Sequence, residues 1–154
     1  MTNNTATITQ IRDAVYDLLV SMTGEGLAFA ASGKFHPVAP DKYPFASVEP
    51  GMLTNPSILS NTEILRAYGM DILVQYAVPN DAVGGVEPVE YAWNKCMAAT
   101  QAAMDALDTA TNLGHAGIIQ VTPSKPRPGK AVVGDGLCVF YIIEVAIETV
   151  FDKV

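Results

Sequence analysis

Apolar positions recur along this chain with two periods, and the longest patterned run has the shorter one. From Leu137 to Phe151 the odd positions Leu137, Val139, Tyr141, Ile143, Val145, Ile147, Thr149 and Phe151 form an almost wholly apolar row. On a strand, where successive side chains point to opposite faces, that row belongs on a core. The even positions change character partway: Cys138, Phe140 and Ile142 are apolar, whereas Glu144, Glu148 and Asp152 are charged. The first half of the run therefore requires cover on both faces and the second half on one. Whether this chain or a neighbouring copy covers Cys138, Phe140 and Ile142 is the main question the pattern raises.

The other elements follow from the same two periods. Thr7 to Met22 is predicted helical, with Ile8, Ile11, Val15, Leu18, Leu19 and Met22 on one face and Thr7 with Gln10 as a capping box. Residues 24 to 43 are rich in Gly, Ala and Pro and form a long loop, or a short strand plus loop. Tyr43 to Glu49 is a short strand entered through Pro44, as suits a first strand position or a sheet edge, and Pro50-Gly51 stops it. The turn-rich connection 51 to 62 is expected to be mobile or to contact a partner. Alternation returns from Glu63 to Val78, a second long strand in which only Arg66 breaks an apolar face. Glu87-Pro88 opens a second helix that buries Val89, Trp93, Cys96, Met97, Thr100, Ala103, Met104 and Leu107, and Asn112-Leu113-Gly114 ends it. A short strand, Gly117 to Thr122, then leads into the long terminal one. Between them Pro123 to Gly136 is expected to project as an oversized hairpin tip, its prolines keeping Pro123 to Pro128 out of any central ladder.

Helix, strand, strand, helix, strand, strand implies antiparallel pairing and an α+β fold, with both helices packed on one face of a twisted, mainly antiparallel four- to five-stranded sheet. The 154 residues suit a single domain, 1–154, that buries about two-thirds of its unfolded surface. Composition sharpens this. At 49% hydrophobic and 16% charged, against about 25% charged for typical soluble domains, the surface left to water is apolar and favours self-association.

The formal charge is −7, but Lys125, Arg127 and Lys130 set against Asp135 leave residues 123 to 136 at +2, so the rest carries −9. A surface of that sign repels nucleic acid and anionic membrane. Three cations on a proline-stiffened tip find an equally good target in an acidic copy of the same chain. The opening MTNNTATITQ has no basic segment followed by an apolar run, so the chain is expected in the cytoplasm where it is made.

Reaction chemistry finds little to work with. Cys96 and Cys138 lack metal-ligand spacing and read as reduced core thiols, and His36 and His115 sit in loops without a partner at metal spacing. The glycine pairs lack a phosphate-loop lysine, and no serine lies in G-x-S-x-G. Glu144 and Glu148 are four strand positions apart, about 13 Å, too far to cooperate as an acid-base pair. Their simpler reading is an acidic row facing solvent or a lumen.

Taken in order, the opening amphipathic helix, the Tyr43-Pro44 entry into Phe45 to Glu49, the strand Ile64 to Val78, the alanine-rich helix Pro88 to Leu107, the Leu113-Gly114 turn into Ile118 to Val121, the Pro/Gly/Lys loop and the closing strand Leu137 to Phe151 resemble the tail terminator (tail completion, minor tail) proteins of long-tailed bacteriophages. The segment 24 to 42 is longer than that pattern. The resemblance implies a ring homo-oligomer, typically a hexamer, that caps the head-proximal end of a tail tube, stops its polymerisation and joins it to the head or neck. It implies virion localisation, with tail tube protein and a connector or neck protein as partners, DNA passing through unbound, and no cofactor, metal or reaction. On that reading Lys125, Arg127, Lys130, Cys138, Phe140 and Ile142 meet neighbouring copies, and Glu144 and Glu148 line the hole. Another head-tail connector or tube-like protein, or a small α+β enzyme or ligand-binding domain, is the alternative.

Overall fold

The computed structural model describes residues 6–34, 40–51, 57–58, 63–133 and 136–152, with the backbone only for 57–58, 63–65, 133 and 150–152. It is a mixed α+β chain in the order α1 (Ile8–Ser21), β1 (Ala31–Gly33), β2 (Phe45–Pro50), β3 (Ser57–Ile58), β4 (Glu63–Ala77), α2 (Pro88–Thr109), β5 (Ile118–Pro123), β6 (Arg127–Val133) and β7 (Gly136–Asp152). His36 and most of the 51–62 connection lie outside the described residues.

The capping box forms as the sequence predicts. The Gln10 N–H donates to Thr7 Oγ1 at 3.2 Å and the Thr7 N–H to Gln10 Oε1 at 2.9 Å, satisfying two of the amides that the first helical turn leaves without partners. Below the cap, Ile11, Val15 and Leu19 are buried at intervals of four, while Ile8 stays exposed.

The sheet runs β1-β2-β4-β7-β5, five strands wide, with β3 added beside β4 and β6 beside β7. Among the described strand pairs only β1–β2 is parallel. Its spine is the β4–β7 pair, in unbroken register from Glu63↔Asp152 to Ala77↔Cys138. The residues of one parity on these strands, Met70, Ile72, Val74, Val139, Ile143, Val145 and Ile147, share one core cluster with Ala46 and Val48 of β2, with Ile11, Val15 and Leu19 of α1, and with the buried residues of α2.

Those α2 residues are Ala92, Cys96, Ala99, Thr100, Ala103 and Leu107, whereas Val89 and Met97 are exposed. The helix is therefore rolled relative to the sequence expectation, for a steric reason. It carries two apolar stripes side by side, and the one of small residues lets its backbone approach the sheet. The larger stripe, Val89, Trp93, Met97 and Met104, is left on a flank.

Among the described residues, the stretch expected to project as a tip between the last two strands instead forms a strand laid on β7. A strand of 17 residues exposes a row of backbone donors and acceptors longer than the six residues of β5 can satisfy. Residues Arg127–Val133 fill the remainder: β6 pairs with Gly136 to Ile142, and β5 with Val145 to Thr149. The interruption is bridged by the Ser124 N–H, which donates to the Glu144 carbonyl at 2.7 Å. Pro123 and Pro128, expected outside any ladder, pair with Val145 and Tyr141. Both lie on the outer edge, where a missing N–H costs the sheet nothing.

The far face of the sheet is also less bare than its composition predicts. Cys138 is 2% exposed, and Phe45, Ser47 and Gln75, on neighbouring strands of the same face, are buried too. The Tyr43 hydroxyl reaches Cys138 Sγ at 3.9 Å. Cys138 is thus already covered within its own chain, which answers for that residue the question of which chain supplies the cover. Phe140 and Ile142 are half-buried.

Candidate interaction surface

Among the described residues no three His, Cys, Asp or Glu side chains are placed to hold a metal ion. Cys96 lies in the core with its Sγ donating to the Val74 carbonyl at 3.3 Å, and burial pushes its thiol up to about 12, far from nucleophilic use at neutral pH. His115 is part of its loop, with Nδ1 accepting the Gly117 N–H at 2.9 Å. Among the described residues no helix is long and apolar enough to cross a membrane.

What the fold builds instead is surface. Register aligns Glu49 of β2, Asp71 of β4 and Glu144 of β7 in one row across the far face, three carboxylates on adjacent strands. Like charges directly opposite one another disfavour the sheet. The Asp71 carboxyl answers by shifting above the usual carboxylate range, through its partial burial first and then the Glu144 charge. Arg127 relieves the row: its Nη2 donates to Glu144 Oε1 at 2.7 Å, an ion pair in which both side chains remain more than half exposed. Gly51 is required beside this row, because a Cβ there would meet Asp71 Oδ1 at 2.9 Å and the Gly69 carbonyl carbon at 3.1 Å. Glu148 lies farther along the same face, opposite Ala67 on one side and Gln120 on the other, and is half-exposed.

The three cations do not act together. Arg127 and Lys130 are three residues apart on a strand and so point to opposite faces, and Lys125 sits in the exposed link between β5 and β6. Arg127 is engaged by its own chain's Glu144, whereas both lysines are exposed.

The second surface was not anticipated. An open trough of about 540 Å³ runs between the first half of α2 and β6, lined by Glu87, Glu90, Trp93, Met97, Pro128 and Tyr141 among others. It continues past Met97 along Thr100, Gln101 and Met104 to Pro126 as a smaller cleft of about 210 Å³. Trp93 packs edge-on against Tyr141, with ring centroids 5.5 Å apart, and forms the floor. The signal was present in the sequence as the double apolar stripe of α2, only one half of which a sheet can cover.

No protein-family model matches the chain, and no curated protein sequence does. Among solved structures it is similar in fold to a chain described as the virion of a native gene transfer agent particle, at 17% identity and a TM-score of 0.50, over 90% of this chain and 94% of that one.

Proposed function

We propose that the protein is a structural component of a phage-like virion, and more specifically a ring that caps the head-proximal end of a tail tube and joins it to the neck. The observation that carries the coarser reading is the fold likeness, which spans nearly the whole of both chains and whose counterpart belongs to a virion particle. The sequence resemblance to tail terminators carries the finer one.

The surface chemistry is consistent with this role. A closed heterologous ring needs two different faces on every copy. Half-buried Phe140 and Ile142, at alternate positions beyond the covered Cys138 on β7, supply an apolar strip on the far face of the sheet. Lys125 and Lys130 supply basic points at the β5–β6 edge for acid on another copy, while Arg127 steadies Glu144 within its own chain. The carboxylates Glu49, Asp71, Glu144 and Glu148 share a face, and lining the hole they would let DNA pass without adhering. No reaction is assigned to the protein.

The test is functional. Purified protein added to polymerising tail-tube subunits should stop elongation and appear in negative-stain images as a ring at one tube end. Tubes that lengthen unchanged, with no protein at their ends, would remove the capping role and leave a connector or tube-like role in its place. A ring image with Glu144 and Glu148 on the outer rim would remove them from the lumen.

A further inference from the structure

The outer edge of β6 is open, and it borders the trough. Strand β7 turns its backbone groups alternately to its two neighbours: the Leu137 carbonyl accepts the Val78 N–H at 2.8 Å on the β4 side, and the Glu144 carbonyl accepts the Ser124 N–H at 2.7 Å on the other. Odd-numbered residues of β7 therefore bond to β4 and even-numbered ones to β6 or β5. Pro128, Lys130 and Val132 stand opposite the odd residues Tyr141, Val139 and Leu137, so their own backbone groups point away from β7. Among the described residues no strand pairs with that edge, since β6 has β7 as its one neighbour. Val132, on the edge, is 77% exposed.

The side chains of the same three residues lie on the helix face with Tyr141, and Pro128 and Tyr141 line the trough together with Trp93 and Met97 of α2. A strand added along β6 would set every second side chain on that face. Its residues i to i+4 span about 13 Å, and α2 covers about 15 Å from Glu87 to Met97, so three such side chains match the trough in length. The trough is apolar at Met97, which is 43% exposed, and acidic at Glu87 and Glu90, whose carboxylates have no ion-pair partner among the described residues. Lys130, on the same face of β6, offsets at most one of those two charges.

We propose that the outer edge of β6 and the adjoining trough dock an extended segment of a partner protein by strand addition, with apolar side chains over Trp93, Met97 and Pro128 and one basic side chain beside Glu87 and Glu90. The free backbone groups call for an extended chain, the trough for alternate apolar side chains, and the unpaired carboxylates for a cation. The β6 edge of another copy fits poorly. Symmetric antiparallel pairing about Lys130 sets Lys130 against Lys130, and like charges directly opposite one another disfavour a sheet.

Trp93 is the one tryptophan of the chain and lies in the trough, so its fluorescence reads occupancy directly. The probe is a capped seven-residue peptide in which threonine alternates with arginine, valine and leucine, tested in both sequence orders on the full chain. At up to millimolar concentration, one of the two should shift the Trp93 emission saturably. N-methylating alternate amides of that peptide should abolish binding in one phase and spare it in the other, because only every second N–H of an added strand faces β6. Val132→Pro removes an outward N–H that the β6–β7 ladder does not use, so it should keep the melt of the parent chain and weaken binding about tenfold. Glu87→Gln with Glu90→Gln should weaken binding roughly fivefold and remove its salt dependence. No shift with either peptide, N-methylation tolerated equally in both phases, or an affinity indifferent to Val132→Pro or to the two glutamines would each overturn the proposal. A shift that appears only as the chain dimerises in sedimentation would do the same and give the edge to a second copy. The capping assay stands apart from all of these outcomes.

Discussion

Replacing Gly129 by alanine tests how the closing hairpin is held together. Gly129 of β6 lies directly opposite Phe140 of β7, and the phenyl ring is laid over the glycine. A Cβ at Gly129 would stand 2.4 Å from Phe140 Cζ, 2.6 Å from Cε2 and 3.1 Å from Cε1. Ordinary carbon contacts are about 3.5–4.0 Å, so the ring must withdraw by more than 1 Å or β6 must lift from β7. Forced overpacking of this sort costs about 1–3 kcal/mol, and the lower backbone entropy cost of alanine returns about 0.5–1. The net loss is about 0–2.5 kcal/mol, centred near 1, which for a domain of this size lowers Tm by up to about 10 °C. Thermal and urea melts of Gly129→Ala, Phe140→Ala and the double variant measure it. In the Phe140→Ala background the added methyl meets no ring, so Gly129→Ala should there be neutral or stabilising. A Gly129→Ala melt equal to or above that of the parent chain, or an equal loss in both backgrounds, would refute the ring-over-glycine account.

Other consequences are as direct. Asp71 has its folded carboxyl raised, so the folded form binds that proton more tightly than the unfolded chain, and its contribution to stability falls as pH rises above the ordinary value of 3.8. Asp71→Asn should therefore stabilise the protein at pH 7, with the gain disappearing in melts below about pH 3.8; a gain that is constant with pH would show that charge is not its source. Thr7→Ala removes one half of the capping box and should cost about 1 kcal/mol, read as loss of helix signal and a Tm lowered by about 2–4 °C. Native protein at pH 8 should leave Cys96 unmodified by a thiol reagent until denaturant is added, because burial holds its thiol near 12; rapid native labelling at that position would contradict its place in the core.

Much of the fold was legible because period and punctuation agreed. The capping box at Thr7 and Gln10, the proline at the first turn of α2, and the two long alternating runs β4 and β7 are local signals that tertiary context had no reason to override. β1 and β3 were harder, with three and two residues and no period to read. β6 was missed because prolines argue against a strand only where both edges must be paired, and a sequence does not say which strand ends on an edge. The site followed the same division. The acidic residues of the terminal run were visible, but the row from Glu49 through Asp71 to Glu144 depends on register across three strands, and Arg127 reaches Glu144 only because β6 lies down on β7.

By itself, then, the sequence determined which stretches alternate, where helices begin, and that the first half of the closing run is apolar on both faces. Only the tertiary structure decided which of the two stripes of α2 the sheet would cover. It chose the alanines, because close packing favours the face with the smallest side chains, and so left Trp93, Met97 and their neighbours to line a trough. It also decided that Cys138 would be closed over by its own chain while Phe140 rests on a glycine, since strand pairing sets which side chains share a face and only a residue without Cβ leaves room for the ring.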